Sequence, residues 1–311
     1  MTRVLISGST GFVGRHITDC LLQQGLEVQP LTRGALTGAF CWDNLTPALL
    51  DQADVIIHLA GKAHDTKKIS VASEYFEVNT GLTRNIFDCF LESTASTFIF
   101  MSSVKAVADT VKGILTEEDR PAPETPYGQS KLQAEIYLLS KVLPANKRLF
   151  ILRPCMIHGP GNKGNLNLLY QFSQKGLPYP LAGFNNERSF LSIDNLSYII
   201  NRLVTESAIL GGVYNLADDE PLSTNSVISL IAEVNGRRPR LWKITPGLIK
   251  YIAKFGDKVS LPLNSERLKK LTESYVVSNA KIKKQLNINY LPLSSAEGLR
   301  LTIKSFRSVY L

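Results

Sequence analysis

Short apolar runs alternate with helix-spaced segments through the first half of the chain. Residues 4–7 are apolar and lead into a glycine-rich turn. Residues 14–24 place Ile17, Leu21 and Leu22 on one helical face, and Gly25 stops the helix. Residues 27–31 read as a second strand. Residues 54–60 (DVIIHLA) and 97–101 (TFIFM) are almost continuously apolar, as expected of parallel strands covered on both faces. The pattern predicts a long helix over 73–90, another over 127–143 and a strand over 149–152. Strand–helix alternation of this kind specifies an α/β fold, a Rossmann doubly wound parallel sheet. After Gly159 the chain turns rich in Gly and Asn. The remainder reads as a smaller, partly discontinuous substrate domain. The expected division gives 1–158 plus about 189–216 to the domain of the parallel sheet, and about 159–188 plus 217–311 to the substrate domain.

Composition narrows the function classes. The chain has 311 residues, 44% hydrophobic and 20% charged, enough for an ordinary core. The net charge of +8 reads as spread, with local runs only at Lys67-Lys68, Arg237-Arg238 and Lys281 to Lys284. Such an excess suits an anionic substrate or a solvated surface. No basic stripe with interleaved aromatics points to nucleic acid. Cys20, Cys41, Cys89 and Cys155 are isolated, so no zinc site is expected; Cys20 and Cys89 lie in apolar helical patterns and read as buried thiols. No apolar run is long enough to span a membrane, and no secretory leader precedes the first strand, so a cytoplasmic location is expected.

The chemistry sits in two places. Gly8, Gly11 and Gly14, with Ser9, Thr10, Phe12 and Val13 between them, follow a strand and open a helix. That context makes the triplet a pyrophosphate cradle, because glycine permits close backbone approach and a helix N-terminus offers free N–H groups. Arg33 ends the second strand where NAD-selective sites carry an acidic residue; it can accept a 2′-phosphate, which favours NADP(H) and leaves NAD(H) open, or it touches nothing. Asp43 can meet the adenine amine or cap a helix. Tyr127 and Lys131 are four residues apart and share a helix face. An ammonium beside a phenol lowers its pKa and makes it a proton carrier. Ser103, just after the strand at 97–101, can bind the same substrate oxygen. His58 and His64 lack a nucleophile pattern and read as structural.

These residues together resemble the extended short-chain dehydrogenase/reductase family of nucleotide-sugar epimerases, dehydratases and 4-ketoreductases. The likeness runs through His58-Leu59-Ala60-Gly61, Asn79, Ser102-Ser103, Tyr127-x-x-x-Lys131, Leu152-Arg153-Pro154, Gly159-Pro160-Gly161 and Arg188 to Asn195. It implies that Leu59, Ala60, Gly61 and Asn79 line the cofactor. Ser103 and Tyr127 would carry the proton chemistry, Lys131 would hold the nicotinamide ribose, and Asn165 and Arg188 would contact a UDP-sugar, unless Arg188 is a surface ion pair. Met156 stands where galactose-type epimerases have Asn. Val104-Lys105 stands where dehydratases have an acidic pair. Residues 61–64, 103–105 and 162–165 look nearest to bacterial reductases of UDP-4-keto-6-deoxy-N-acetylhexosamines, which form UDP-N-acetylquinovosamine or its 4-epimer for polysaccharide biosynthesis. The expectation is such a 4-ketoreductase. The alternatives are a UDP-sugar 4-epimerase with retained NAD and a non-catalytic sensor, and the resemblance allows a homodimer.

Overall fold

The computed structural model describes residues 1–34, 39–62, 71–162, 165–259 and 264–307. In chain order the first half runs β1 (Arg3–Ser7), α1 (Phe12–Gln23), β2 (Glu27–Thr32), β3 (Phe40–Cys41), α2 (Pro47–Leu50) and β4 (Val55–His58). It continues with α3 (Ala72–Phe76), a π turn at Glu77–Gly81, α4 (Leu82–Glu92), β5 (Thr97–Met101), β6 (Ile114–Leu115), α5 (Pro126–Ser140) and β7 (Arg148–Pro154). The second half holds β8 (Met156–His158), α6 (Asn165–Gln174), β9 (Phe190–Ser192), α7 (Ile193–Thr205), β10 (Gly212–Leu216) and α8 (Thr224–Val234). It ends with α9 (Pro246–Val259), α10 (Ser265–Thr272), β11 (Val276–Val277), α11 (Ala280–Leu286) and α12 (Ser295–Arg307).

Seven strands form one parallel sheet in the order β10-β7-β5-β4-β1-β2-β3. The order reverses between β1 and β4, the crevice where ligands bind in doubly wound sheets. Side chains alternate across the central strands. Ile57, Ile99 and Met101 join the core under α1 and α7, while Ile56, Phe98 and Phe100 join the core under α4 and α5. In the second core Phe87, Phe90 and Phe98 meet with centroids 5.1–5.6 Å apart. Removing any one ring would cost about 3–5 kcal/mol.

Several sequence expectations are corrected here. The long helix over 73–90 is interrupted by the π turn, which no hydrophobic period reveals. Cys20 and Cys89 are only partly buried; Cys155 is the buried thiol. α1 stops as expected: Gly25 takes φ +76°, and the amide of Leu26 donates to the carbonyl of Leu21. In the second half, β8 and β9 pair with each other, β6 pairs with β11 across the chain, and smaller cores form around α6, α8, α9 and α12. Lys67-Lys68, His64, Lys163 and Gly164 lie outside the described residues.

Candidate active site

The turn after β1 packs with no space to spare. Gly8 adopts φ +75°, and a Cβ there would stand 2.7 Å from the Ala60 nitrogen. A Cβ on Gly14 would lie 2.1 Å from the Gly8 carbonyl oxygen. Only glycine fits either position. Gly11 caps α1 without a side-chain hydrogen bond, so the first amides of the helix face the groove with its positive dipole end. Ser9, Thr10, Phe12 and Val13 complete this turn. The residues present therefore fit a pyrophosphate-bearing dinucleotide.

A buried relay fastens this turn to the next. The Ala60 amide donates to Ser7 Oγ (3.2 Å), and Ser7 Oγ lies 2.6 Å from His58 Nδ1. On the far side His58 Nε2 lies 2.9 Å from Thr83 Oγ1, whose hydroxyl donates to the Asn79 carbonyl at 2.7 Å. These directions place the His58 proton on Nε2. Burial pushes its pKa down to about 3, so the ring stays neutral. The structural role expected for His58 is what its contacts describe. Asn79 lies in the π turn. Its Oδ1 accepts from the Lys62 amide (2.7 Å), and its Nδ2 donates to the Lys62 carbonyl (3.1 Å) and Ser130 Oγ (3.0 Å). This holds the strand-end segment Leu59-Ala60-Gly61 over α5.

Tyr127 and Lys131 lie on the first two turns of α5. Thr125 caps that helix by accepting from the Gly128 amide, and Pro126 opens it. Gly128 lets the loop after β5 come close: a Cβ there would stand 2.3 Å from the Lys105 carbonyl oxygen. That approach brings Ser103, which caps the 3-10 turn at Val104–Ala106, against Tyr127. The Ser103 hydrogen bond pulls the Tyr127 pKa down, but burial dominates and leaves it above its ordinary value. The expected lowering of that pKa by Lys131 is not what this structure shows. Lys131 is buried, donates to the Met101 carbonyl at 2.8 Å, and sits 4.9 Å from the centre of the Phe100 ring. Burial lowers its pKa to about 8, partly opposed by Glu135. A Cβ on Gly61 would lie 3.1 Å from its Nζ.

Two neighbours escaped the sequence reading. Tyr75 stands edge-on to Tyr127, with centroids 6.3 Å apart. Glu135 is buried one further turn along α5 and is held by Arg153 Nε at 3.0 and 3.1 Å, by Arg153 Nη2 and by the Ser102 hydroxyl. Its signal was available: Tyr127, Lys131 and Glu135 repeat every four residues.

Other expected residues lie apart from this cluster. Arg33 is exposed, 5.6 Å over the Trp42 ring at the end of β2. Asp43 lies in a 3-10 turn at Trp42–Asn44 and accepts from the Cys41 thiol; it does not cap an α-helix. Arg188 is half-buried, bridged through its backbone to Leu222 and Tyr275, and its Nε donates to the Glu273 carbonyl at 3.0 Å. Burial lowers its pKa. α6 starts at Asn165, whose side chain lies outside the described residues. Among the described residues no helix is long and apolar enough to cross a membrane.

A glycine-rich strand–helix turn facing a Ser–Tyr–Lys set across the switch point defines an extended short-chain dehydrogenase/reductase. The chain belongs to the NAD dependent epimerase/dehydratase family, whose model matches residues 4–217. It is 31% identical over 244 residues to a UDP-glucose 4-epimerase of Vibrio cholerae, covering 74% of both chains. It is 30% identical over 249 residues to the N-acetyl-alpha-D-glucosaminyl-diphospho-ditrans,octacis-undecaprenol 4-epimerase of Escherichia coli O157:H7, covering 74% of this chain and 71% of that one. Its fold matches MoeE5, solved in complex with UDP-glucose and NAD, with TM-score 0.76 over 99% of this chain and 100% of that one, at 21% identity.

Proposed function

We propose that this enzyme carries out proton-coupled oxidoreduction at C4 of a UDP-linked sugar, in the direction that reduces a 4-keto-6-deoxy-N-acetylhexosamine for surface polysaccharide. The observation that carries the reading is the Ser103–Tyr127 hydrogen bond beside the buried Lys131, at the carboxyl end of β5. A nicotinamide dinucleotide, held by residues 8–14, Leu59, Ala60, Gly61, Asn79 and Lys131, supplies the hydride chemistry. Tyr127 gives its hydroxyl proton to the sugar oxygen, which a neutral phenol can do at pH 7. Its raised pKa favours that neutral, donating form. Ser103 donates a hydrogen bond to the same oxygen, and the Lys131 ammonium stabilises the phenolate left behind. Arg33 is assigned to the 2′-phosphate of NADP(H), and Asp43 to the adenine edge. Arg188 is assigned to the diphosphate, with Asn165 near the sugar. The units proposed for cofactor and sugar nucleotide are 1–158 with 189–216, and 159–188 with 217–311.

Tyr127→Phe tests this reading. Incubated with UDP-4-keto sugars and NADPH and followed by product NMR, it should lose roughly 10²–10⁴ in turnover. Ser103→Ala should lose less, and cofactor binding should survive in both. Near-full turnover by Tyr127→Phe refutes the proton assignment.

A 4-epimerase with retained NAD is the second reading. The relatives of Vibrio and Escherichia named as 4-epimerases favour it. Nicotinamide absorbance that copurifies with the protein selects it over the reductase. Exposed Ile136 and Leu139 on α5 support a homodimer through that helix.

A further inference from the structure

The basic charge of this chain is not spread. Residues 237–270 contain ten Lys and Arg against two Asp and Glu, so this segment accounts for the entire +8 and the remaining residues are neutral in sum. It holds α9 and α10. α9 has two apolar stripes where a surface helix has one. Ile249 and Ala253 face inward and pack with Tyr179, Leu181, Ile228 and Leu268. Leu248, Tyr251, Ile252 and Phe255, spaced i, i+3, i+4 and i+7, face outward, with Tyr251 72% and Phe255 55% exposed. Counting about 100° per residue, Lys254 borders that outward face beyond Tyr251, and Lys250, also exposed, lies further round the helix. Trp242, 58% exposed, precedes the helix.

We propose that this outward face of α9 docks on an anionic lipid bilayer. An apolar stripe bordered by lysine, with Trp and Tyr that have one apolar and one polar end, is the composition of a helix lying in the headgroup plane. Charge decides among occupants. A second copy seated on the same face would oppose one ten-to-two basic segment with another, which is repulsive. A phosphatidylglycerol surface complements it, and basic residues gain from its negative potential. One acid of the segment, Asp257, is engaged internally: it accepts from the Ser265 amide (2.8 Å) and hydroxyl (2.6 Å). The catalytic residues lie after β5 and on α5, not on α9, so docking through α9 engages none of them.

The test is cosedimentation of the full chain with vesicles of phosphatidylcholine alone or mixed with phosphatidylglycerol. The protein should pellet with the mixed vesicles only and be released by salt. Tyr251→Ser/Phe255→Ser and Lys250→Glu/Lys254→Glu should each weaken partitioning by roughly tenfold or more. Both pairs are exposed, so melting temperature and turnover of a water-soluble UDP-sugar should not change. Absence of pelleting at low salt overturns the proposal, as does pelleting that neither pair weakens. So does a dimer, seen by sedimentation equilibrium without vesicles, that the Tyr251→Ser/Phe255→Ser pair dissociates.

Discussion

Lys131 should leave a measurable mark on the pH dependence of stability. Burial draws its pKa from 10.5 to about 8. The unfolded chain therefore holds the proton more tightly than the folded one between those values. The stabilisation that comes with the neutral amine is complete above about pH 10.5 and is lost as pH falls through about 8. Wild-type stability should thus rise with pH across this window, by about 2 kcal/mol between about pH 7 and about pH 9.5. The Lys131→Met protein has no such group and should lack that rise. Urea midpoints with linear extrapolation, taken on both proteins at each pH, give the difference. Subtraction cancels the titrations common to both, and the ceiling near pH 9.5 avoids the Tyr127 phenol. Glu135 raises the Lys131 pKa, so Glu135→Gln should start the rise at a lower pH. If wild-type and Lys131→Met curves run parallel, the ammonium is solvated in the folded protein, and the account of Lys131 as a desolvated cation is wrong.

Three further outcomes follow from named contacts. Arg33→Asp should weaken NADPH use far more than NADH use, because a charged hydrogen bond becomes a like-charge repulsion; steady-state kinetics with both cofactors would show it, and equal losses would rule out the 2′-phosphate role. Arg188→Ala should weaken UDP binding by about 2–5 kcal/mol in calorimetry while leaving the dinucleotide untouched, and unchanged UDP affinity would make Arg188 structural. Arg153→Met leaves Glu135 charged and buried and should cost about 3–5 kcal/mol of stability, whereas Glu135→Leu with Arg153→Met should cost less, since no lone buried charge remains. Equal losses in the urea titration would show that the pair is not coupled.

Much of the fold was readable because the cause was local or periodic. β5 begins and ends at the residues the apolar run indicates, because a strand covered on both faces needs no alternation. Tyr127 and Lys131 were readable from a four-residue step, and Gly8 and Gly14 from spacing alone. Glu135 continues the same step but was passed over, since a charged residue on a helix ordinarily faces water; only the guanidinium of Arg153, from a different strand, shows why it is inside. Contacts made at long range were closed to the sequence. Arg188 meets the carbonyl of Glu273, and two-residue β6 finds β11. The π turn was hidden for another reason: it keeps the helical direction between α3 and α4, yet it is where buried Asn79 lies.

The relay from Ala60 through Ser7, His58 and Thr83 to Asn79 ties three segments that are far apart in sequence: the turn after β1, the end of β4 and the start of α4. None of them can open alone without stranding a buried donor or acceptor, a loss of about 1–3 kcal/mol per group. The floor of the dinucleotide groove is therefore a single cooperative unit of opening, closer in kind to the core of the sheet than to its loops. The amide of Ala60, which donates within the relay, should therefore exchange with solvent in step with those of Ile57 and Thr83.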